Sequence, residues 1–399
     1  MFKTSLLFLA VLGVGPATTP TVYTLSPTRL AEAKRGFRPD DPVVVQLYAD
    51  AGKALQFAPV SVTQKKRIPP SGDRHDYYSQ SPYWWPDPAE KDGLPFISRD
   101  GQTYPPSKQD TDSDNLWKLS QHVETLGLAT YFSGRAEFAA HAARLVRVFL
   151  LDPATRMNPN LRFAQVIPGH TDRRGTGIID ARFLPNICNG VGLLRGSSAW
   201  TAEDDNAFNA WLAEYYSWLT TSAQGQSEHA AANNHGVWYL AQAAGIAARL
   251  GRTDDVRRFC AEAIVRIDRQ IEPSGAQPLE LARTRSLHYS LFTLEAFLQL
   301  AVLGETVGVD LWGHVGPKGQ GLRAALAFLA PYVNPEKPWI KADVHPDPRT
   351  RLLPLVAQAH AHWPDAVFAD ALRDFGSQDG EREARWRLFL GESVTPPHQ

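Results

Sequence analysis

Cysteine is almost missing from this chain. Cys188 and Cys260 are the only two in 399 residues, both stand in apolar, helix-like contexts, and neither has the spacing of a metal ligand. That excludes a small disulfide-stapled scaffold and leaves either one disulfide or two buried thiols. Excess charge is missing too: 41 Lys and Arg balance 42 Asp and Glu, for a formal net charge of −1. No general affinity for nucleic acid or an anionic membrane is expected, so an acidic substrate must be held by local arginines. No C-x-x-C, P-loop or Gly-rich dinucleotide fingerprint occurs. Strand-like alternation is nearly absent.

The first apolar run, Leu6 to Val14, is far short of the roughly 20 residues a membrane span requires. Lys3 precedes it and Gly15-Pro16-Ala17 follows, the pattern of a secretory signal peptide over residues 1–17. A periplasmic or secreted protein without membrane insertion of the mature chain is the expectation. Residues 18–399 contain no low-complexity linker and read as a single domain.

Helical periodicity dominates that domain. A helix opens at Asp112-Ser-Asp114 and runs to Gly134, and a second covers Glu137 to Leu151. Others are expected near 181–195, 204–221, 235–250, 254–270, 285–304, 320–332, 351–361 and 365–374, with a weaker pattern from Ala31 to Phe57. Two of these junctions echo each other, at Ser133-Gly134-Arg135 and at Leu250-Gly251-Arg252, each reading as helix, Gly cap, short turn and helix. Hairpins of this kind stack into an all-α solenoid or close into an α/α toroid, whose central cleft is lined by loops and helix N-termini.

Two segments break the helical pattern. Residues 59–109 are rich in Pro and Gly and carry Tyr77, Tyr78, Tyr83, Trp84 and Trp85, which suits either an aromatic floor for sugar rings or a loop tucked onto the domain. Residues 156–182 hold Asn160, Gln165, Arg173 and Arg182 among glycines. That is a polar wall in which amides read hydroxyls and guanidinium groups grip carboxylates, or else a solvated surface loop.

The chemistry concentrates in two short motifs. In Ala231-Ala-Asn233-Asn234-His235-Gly-Val-Trp238 two amides and an imidazole stand at the start of a helix, where an Asn cap and the helix dipole favour an anion. In Glu280-Leu-Ala-Arg283-Thr-Arg285-Ser-Leu-His288-Tyr289-Ser290, Arg285 and Tyr289 are four apart and Arg283 lies near the N-cap. A guanidinium beside a phenol lowers its pKa and favours phenolate, as base catalysis needs. Taken singly, the Asn pair is also an ordinary cap, and Tyr289 is also an ordinary core tyrosine.

Together, Asn233-Asn234-His235 with Trp238, the Glu280-to-Tyr289 block, Met157-Asn-Pro-Asn160 with Asp180 and Arg182, and Ser81-Pro-Tyr-Trp84-Trp85-Pro-Asp87 resemble the alginate-lyase family of polysaccharide lyases over roughly residues 75–335. The chain looks closer to the glucuronan/alginate lyases of polysaccharide lyase family 38 than to those of family 5. In the latter the Arg-to-Tyr spacing is longer and His usually follows the tyrosine, where this chain has Ser290. The resemblance implies an α/α toroid and β-elimination of an acidic polysaccharide, alginate or glucuronan, with no metal or other cofactor. It carries catalytic roles onto Asn234, His235, Arg283 and Tyr289, and Tyr78, Trp84, Trp85, Asn160, Gln165, Arg173, Arg182, Asn233 and Arg285 are the expected substrate contacts. Removing H5 of a uronate beside a carboxylate requires donors that share its charge, a part suited to Asn234 and Arg283. Tyr289 and His235 are left to move protons, their division set by the sugar's C5 configuration. A glycoside hydrolase, which needs two suitably spaced carboxylates, and a non-catalytic glycan-binding protein are the alternatives.

Overall fold

The computed structural model describes residues 19–171, 174–375 and 387–388. The expected signal peptide and Arg173 lie outside them. The chain runs through helices α1 (Pro27–Gly36), α2 (Pro42–Ala54), α3 (Ser113–Ser133), α4 (Ala136–Val146), α5 (Leu184–Leu193), α6 (Ala202–Thr221) and α7 (Ala223–His229). It continues through α8 (Asn234–Arg249), α9 (Thr253–Gln270), α10 (Pro278–Leu281), α11 (Ser286–Val307), α12 (Leu322–Leu329), α13 (Leu353–His362) and α14 (Ala366–Phe375). Four short strands interrupt this order: β1 (Tyr78–Gln80), β2 (Trp84–Trp85), β3 (Ile97–Ser98) and β4 (Phe163–Val166).

Each αα-hairpin closes where the Gly spacing places it. Gly134 caps α3 at φ 71° and Gly251 follows α8 at φ 71°, a left-handed conformation that costs glycine no Cβ clash. Helix α9 shows why such elements stack: Val256, Phe259, Cys260, Ala263 and Ile267 form one buried stripe, while Asp254, Arg257 and Arg258 stay on the wet side. Neighbours α3, α5, α8 and α11 pack side by side in that order, with α4 against α3, α6 and α9 against α8, and α12 and α13 against α11. The result is an α/α toroid. Helix α11 is long and apolar enough to cross a bilayer, yet its apolar residues are buried on nearly every face by these neighbours.

The sequence pattern differs from the structure in places with physical causes. Helix α7 is short, polar and contains Gly225, so it carries no period to read. The 59–109 segment gains order by pairing: β1 runs parallel to β4, with Tyr78 opposite Phe163, and β2 runs antiparallel to β3, with Trp84 opposite Ser98. Asp112 pins β1 by accepting the Tyr78 N–H at 2.9 Å, and its carboxylate pairs with Lys65 at 3.0 Å where both side chains are buried. Cys188 and Cys260 are free and buried, and burial pushes each thiol up to about 12.

Candidate active site

The inner helices α3, α5, α8 and α11 turn their N-terminal ends toward one cleft of ≈ 700 Å³, reached by Trp117, Phe183, Asn234, His235, Trp238, His288 and Tyr289. The opening of α8 is built with care. Asn233 is the N-cap, its side-chain oxygen accepting the His235 N–H at 3.2 Å. Helix α9 holds the preceding loop from behind: Arg266 donates to the carbonyls of His229 and Ala231, and Gln270 to that of Ala232. Gly236 permits this, because a Cβ there would sit 2.1 Å from the Ala231 carbonyl and 2.2 Å from Arg266 Nη1.

Two buried carboxylates then orient the two functional side chains. Asn234 donates both its backbone N–H and its Nδ2 to Glu280, each at 2.8 Å, and its Oδ1 has no hydrogen-bond partner among the described residues. Burial raises the Glu280 carboxyl above its usual range, against the two bonds from Asn234. His235 sets Nδ1 2.6 Å from Glu228 Oε1, on α7. Sequence reading missed Glu228, since it lies seven residues upstream in a helix without periodicity.

Across the cleft, the Arg283 guanidinium lies 3.6 Å from the centre of the Tyr289 ring. It is also neutralised: Nε and Nη2 both donate to Asp100, at the end of the β2–β3 hairpin, with the Nη2 bond at 2.5 Å. Burial works to raise the Asp100 carboxyl, but the bonds from Arg283 and Thr284 outweigh it and hold the group at about 2. Tyr289 donates its hydroxyl to Tyr83 Oη at 3.1 Å. Burial and Tyr83 raise the Tyr289 pKa well above the usual phenol value, and Arg283 only partly opposes them. The expected phenolate is therefore corrected to a neutral phenol, because burial disfavours the charged ring more than Arg283 favours it, with Tyr83 and, to a lesser degree, Asp100 adding to the effect of burial.

Arg285 also departs from expectation. It is the N-cap of α11, not a helical residue, so the four-residue spacing does not bring it onto the Tyr289 face. It is not among the residues lining the cleft and pairs with Asp347 at 3.1 Å. Asp347 also binds Arg351 at 2.9 Å and lies 3.2 Å from His288, while Asp343 accepts the N–H groups of Ser286 and Leu287 at the start of α11. Three further expected contacts are placed elsewhere. Tyr78 is buried under Arg67, which donates to its hydroxyl at 3.1 Å. Trp85 packs on Tyr104 and donates to the Gln102 carbonyl, and Asn160 caps its own turn by accepting the Arg162 N–H.

Trp84, Gln165 and Arg182 do line the cleft. Gln165 adopts φ 50°, unusual for a residue with a side chain, and donates to Asp180 at 2.8 Å. Arg182 donates to the Ile179 carbonyl, lies 3.9 Å from the Phe183 ring centre, and among the described residues has no carboxylate within ion-pair distance. Burial lowers it to about 10, with Asp180 and Glu295 pulling the other way. A second hollow of ≈ 650 Å³ shares Asp100, Arg174, Thr176, His235 and Arg283 with the first and adds Asn233, so the two form one groove. Trp117, 43% exposed, and Lys108 also line it; Trp117 reads in the sequence as one more apolar position of α3. Among the described residues no cluster of three or more His, Cys, Asp or Glu is arranged to hold a metal ion.

An α/α toroid whose polar groove offers an imidazole, a phenol, amides, guanidinium groups and tryptophan faces is the architecture of a polysaccharide lyase. Comparison with known proteins agrees: the family profile described as alginate lyase matches residues 61–339. An alginate lyase from Bacteroides ovatus superposes with a TM-score of 0.87 at 33% identity, covering 94% of this chain and 100% of that one. The fold is also shared with alginate lyase A1-III from Sphingomonas species A1, at a TM-score of 0.55 and 17% identity over 94% of this chain and 97% of that one. A variant of A1-III complexed with tetrasaccharide superposes at 0.58 and 14% identity, over 96% and 98%. No curated protein sequence matches the chain. The chain belongs to the alginate lyase family.

Proposed function

We propose that this protein cleaves alginate by β-elimination and that residues 1–17 direct its export to the periplasm or beyond. The observation that carries the reaction is the pairing, in one groove, of a phenol that holds its proton with an imidazole whose Nδ1 is occupied by a carboxylate. The first is a proton donor and the second a proton acceptor. Tryptophan faces at Trp84 and Trp117 suit sugar rings, and the charge of Arg182, which meets no carboxylate among the described residues, suits a polyanion. Asn234, through its remaining Nδ2 hydrogen, and Arg283 share the charge that develops on the substrate carboxylate as C5 loses its proton. The C5–H pair forms the C4=C5 double bond, the C4–O4 bond breaks, and O4 leaves with a proton.

The hydrolase alternative finds little support here. Each carboxylate lining the groove is engaged: Asp100 by Arg283 and Thr284, Asp180 by Tyr77, Ser79 and Gln165, Glu295 by Arg351, and Glu228 by His235. None is left as a general acid at the scissile bond. Incubation of purified protein with polymannuronate, polyguluronate and glucuronan, followed by ultraviolet absorbance, tests the reading. A rise from the conjugated double bond is expected with alginate. New reducing ends without that absorbance would mean hydrolysis, and binding without either would mean a lectin-like role. N-terminal sequencing of exported protein tests the leader, with a start near Thr18 expected and intact Met1 overturning it.

A further inference from the structure

We infer that Glu228 is a positioning residue: it holds His235 with the proton on Nδ1 and Nε2 bare in the groove, and so equips the protein for sugars whose H5 and O4 lie on opposite ring faces. This rests on the β-elimination reading above. Glu228 Oε1 and His235 Nδ1 are 2.6 Å apart, the Glu228 side chain is 2% exposed, and His235 at 21% remains open to the groove. No other ion pair reaches Glu228 among the described residues. The backbone of α7 at Glu228 is held close against Gly175, where a Cβ would come within 2.7 Å of the Glu228 nitrogen and 3.1 Å of its Cβ.

The chemistry follows from donor and acceptor capacity. A carboxylate only accepts, so Nδ1 donates, and a neutral imidazole has one N–H to give. Nε2 therefore carries the lone pair. Tyr289, donating to Tyr83, carries a proton. In L-guluronate H5 and O4 are on opposite faces, so one group takes H5 while a different group protonates O4, and the resting groove already holds both in the required state. His235 Nε2 gains H5, the C5–H electrons form the C4=C5 bond, C4–O4 breaks, and the Tyr289 proton goes to O4. Solvent then resets both groups. In D-mannuronate and D-glucuronate H5 and O4 share a face, a single residue on that face serves both steps, and the tautomer of His235 matters less.

Glu228→Gln replaces the carboxylate with a group of nearly equal size that also offers an N–H to Nδ1 and so permits the other tautomer. On polyguluronate kcat should fall about 10²-fold with KM little changed, the weight of a misdirected general base. On polymannuronate the fall should be at least tenfold smaller. In a His235→Gln background the same change should cost nothing further, as for two residues acting as a unit. Nitrogen-15 NMR of the His235 ring should show Nδ1–H with bare Nε2 in the unmodified protein and a shift toward Nε2–H in Glu228→Gln. Equal losses on the two polymers, or Nε2–H in the unmodified protein, would overturn the inference; the latter needs no variant to fold. Should no polyuronate be cleaved by the unmodified protein, the reaction reading fails, while the ring spectrum still decides whether Glu228 sets the tautomer.

Discussion

Replacing Tyr289 by Phe separates chemistry from folding more cleanly than any other single change in the groove. The ring keeps its contacts: the Arg283 guanidinium 3.6 Å from its centre, and edge-on packing with His288 and Phe292 at 5.0 and 6.5 Å. What is lost is one hydroxyl and its 3.1 Å hydrogen bond to Tyr83, a partly buried residue that lines the groove. A neutral hydrogen bond of that kind is worth about 0.5–1.5 kcal/mol, so the stability change should be at the low end of that range. The catalytic cost is of a different order. Without a proton donor for O4 the turnover number should fall about 10²-fold or more, near 2.7 kcal/mol or above in the barrier. Thermal unfolding followed by circular dichroism supplies the first quantity, and initial rates of ultraviolet absorbance on saturating alginate supply the second. A variant that unfolds at the normal temperature and still cleaves every active polyuronate at close to the normal rate would refute the role of the phenol.

Trp84→Ala should mainly raise KM, because a sugar stacked on the indole gains binding shared by ground and transition states; a fall confined to kcat would count against that role. Glu280→Gln keeps one acceptor for Asn234 but sets an amide N–H against another donor, so kcat should fall about tenfold or more with KM less affected, and a normal kcat would show that Asn234 orients itself. The Asp100 carboxyl is depressed from 3.8 to about 2, so its stabilising contribution is complete above pH about 4 and is lost as pH falls through about 2. The difference in unfolding temperature between the normal protein and Asp100→Asn should accordingly stay constant from neutral pH to about 4 and shrink below it; a difference that grew on acidification would contradict the Arg283–Asp100 pairing.

The longer helices, the Gly-capped turns at Gly134 and Gly251, and the N-cap at Asn233 were legible in the sequence, because each is set by local spacing or by a backbone conformation that one residue type adopts freely, whereas the short helices α7 and α10 were not. The motif residues Asn234, His235, Arg283 and Tyr289 were legible for a related reason: their chemistry is unusual for helix ends, and they share one cleft in the structure. Their state was not. Whether Tyr289 rests as phenol or phenolate depends first on its burial, then on Tyr83, which accepts its hydrogen bond, and on Arg283, whose charge Asp100, 189 residues upstream of the tyrosine, partly neutralises. Which nitrogen of His235 faces the groove depends on Glu228, and which way Asn234 turns depends on Glu280. Arg285, expected as a substrate contact, is not among the cleft-lining residues: the helix begins one residue later and the guanidinium pairs with Asp347. Sequence alone determined where the long helices form and which functional groups sit at their ends, since propensity, capping and periodicity act over a few residues. Tertiary structure decided where protons and charges rest, since Coulomb and hydrogen-bond energies are set by distance and burial, and folding brings together partners that the chain keeps far apart.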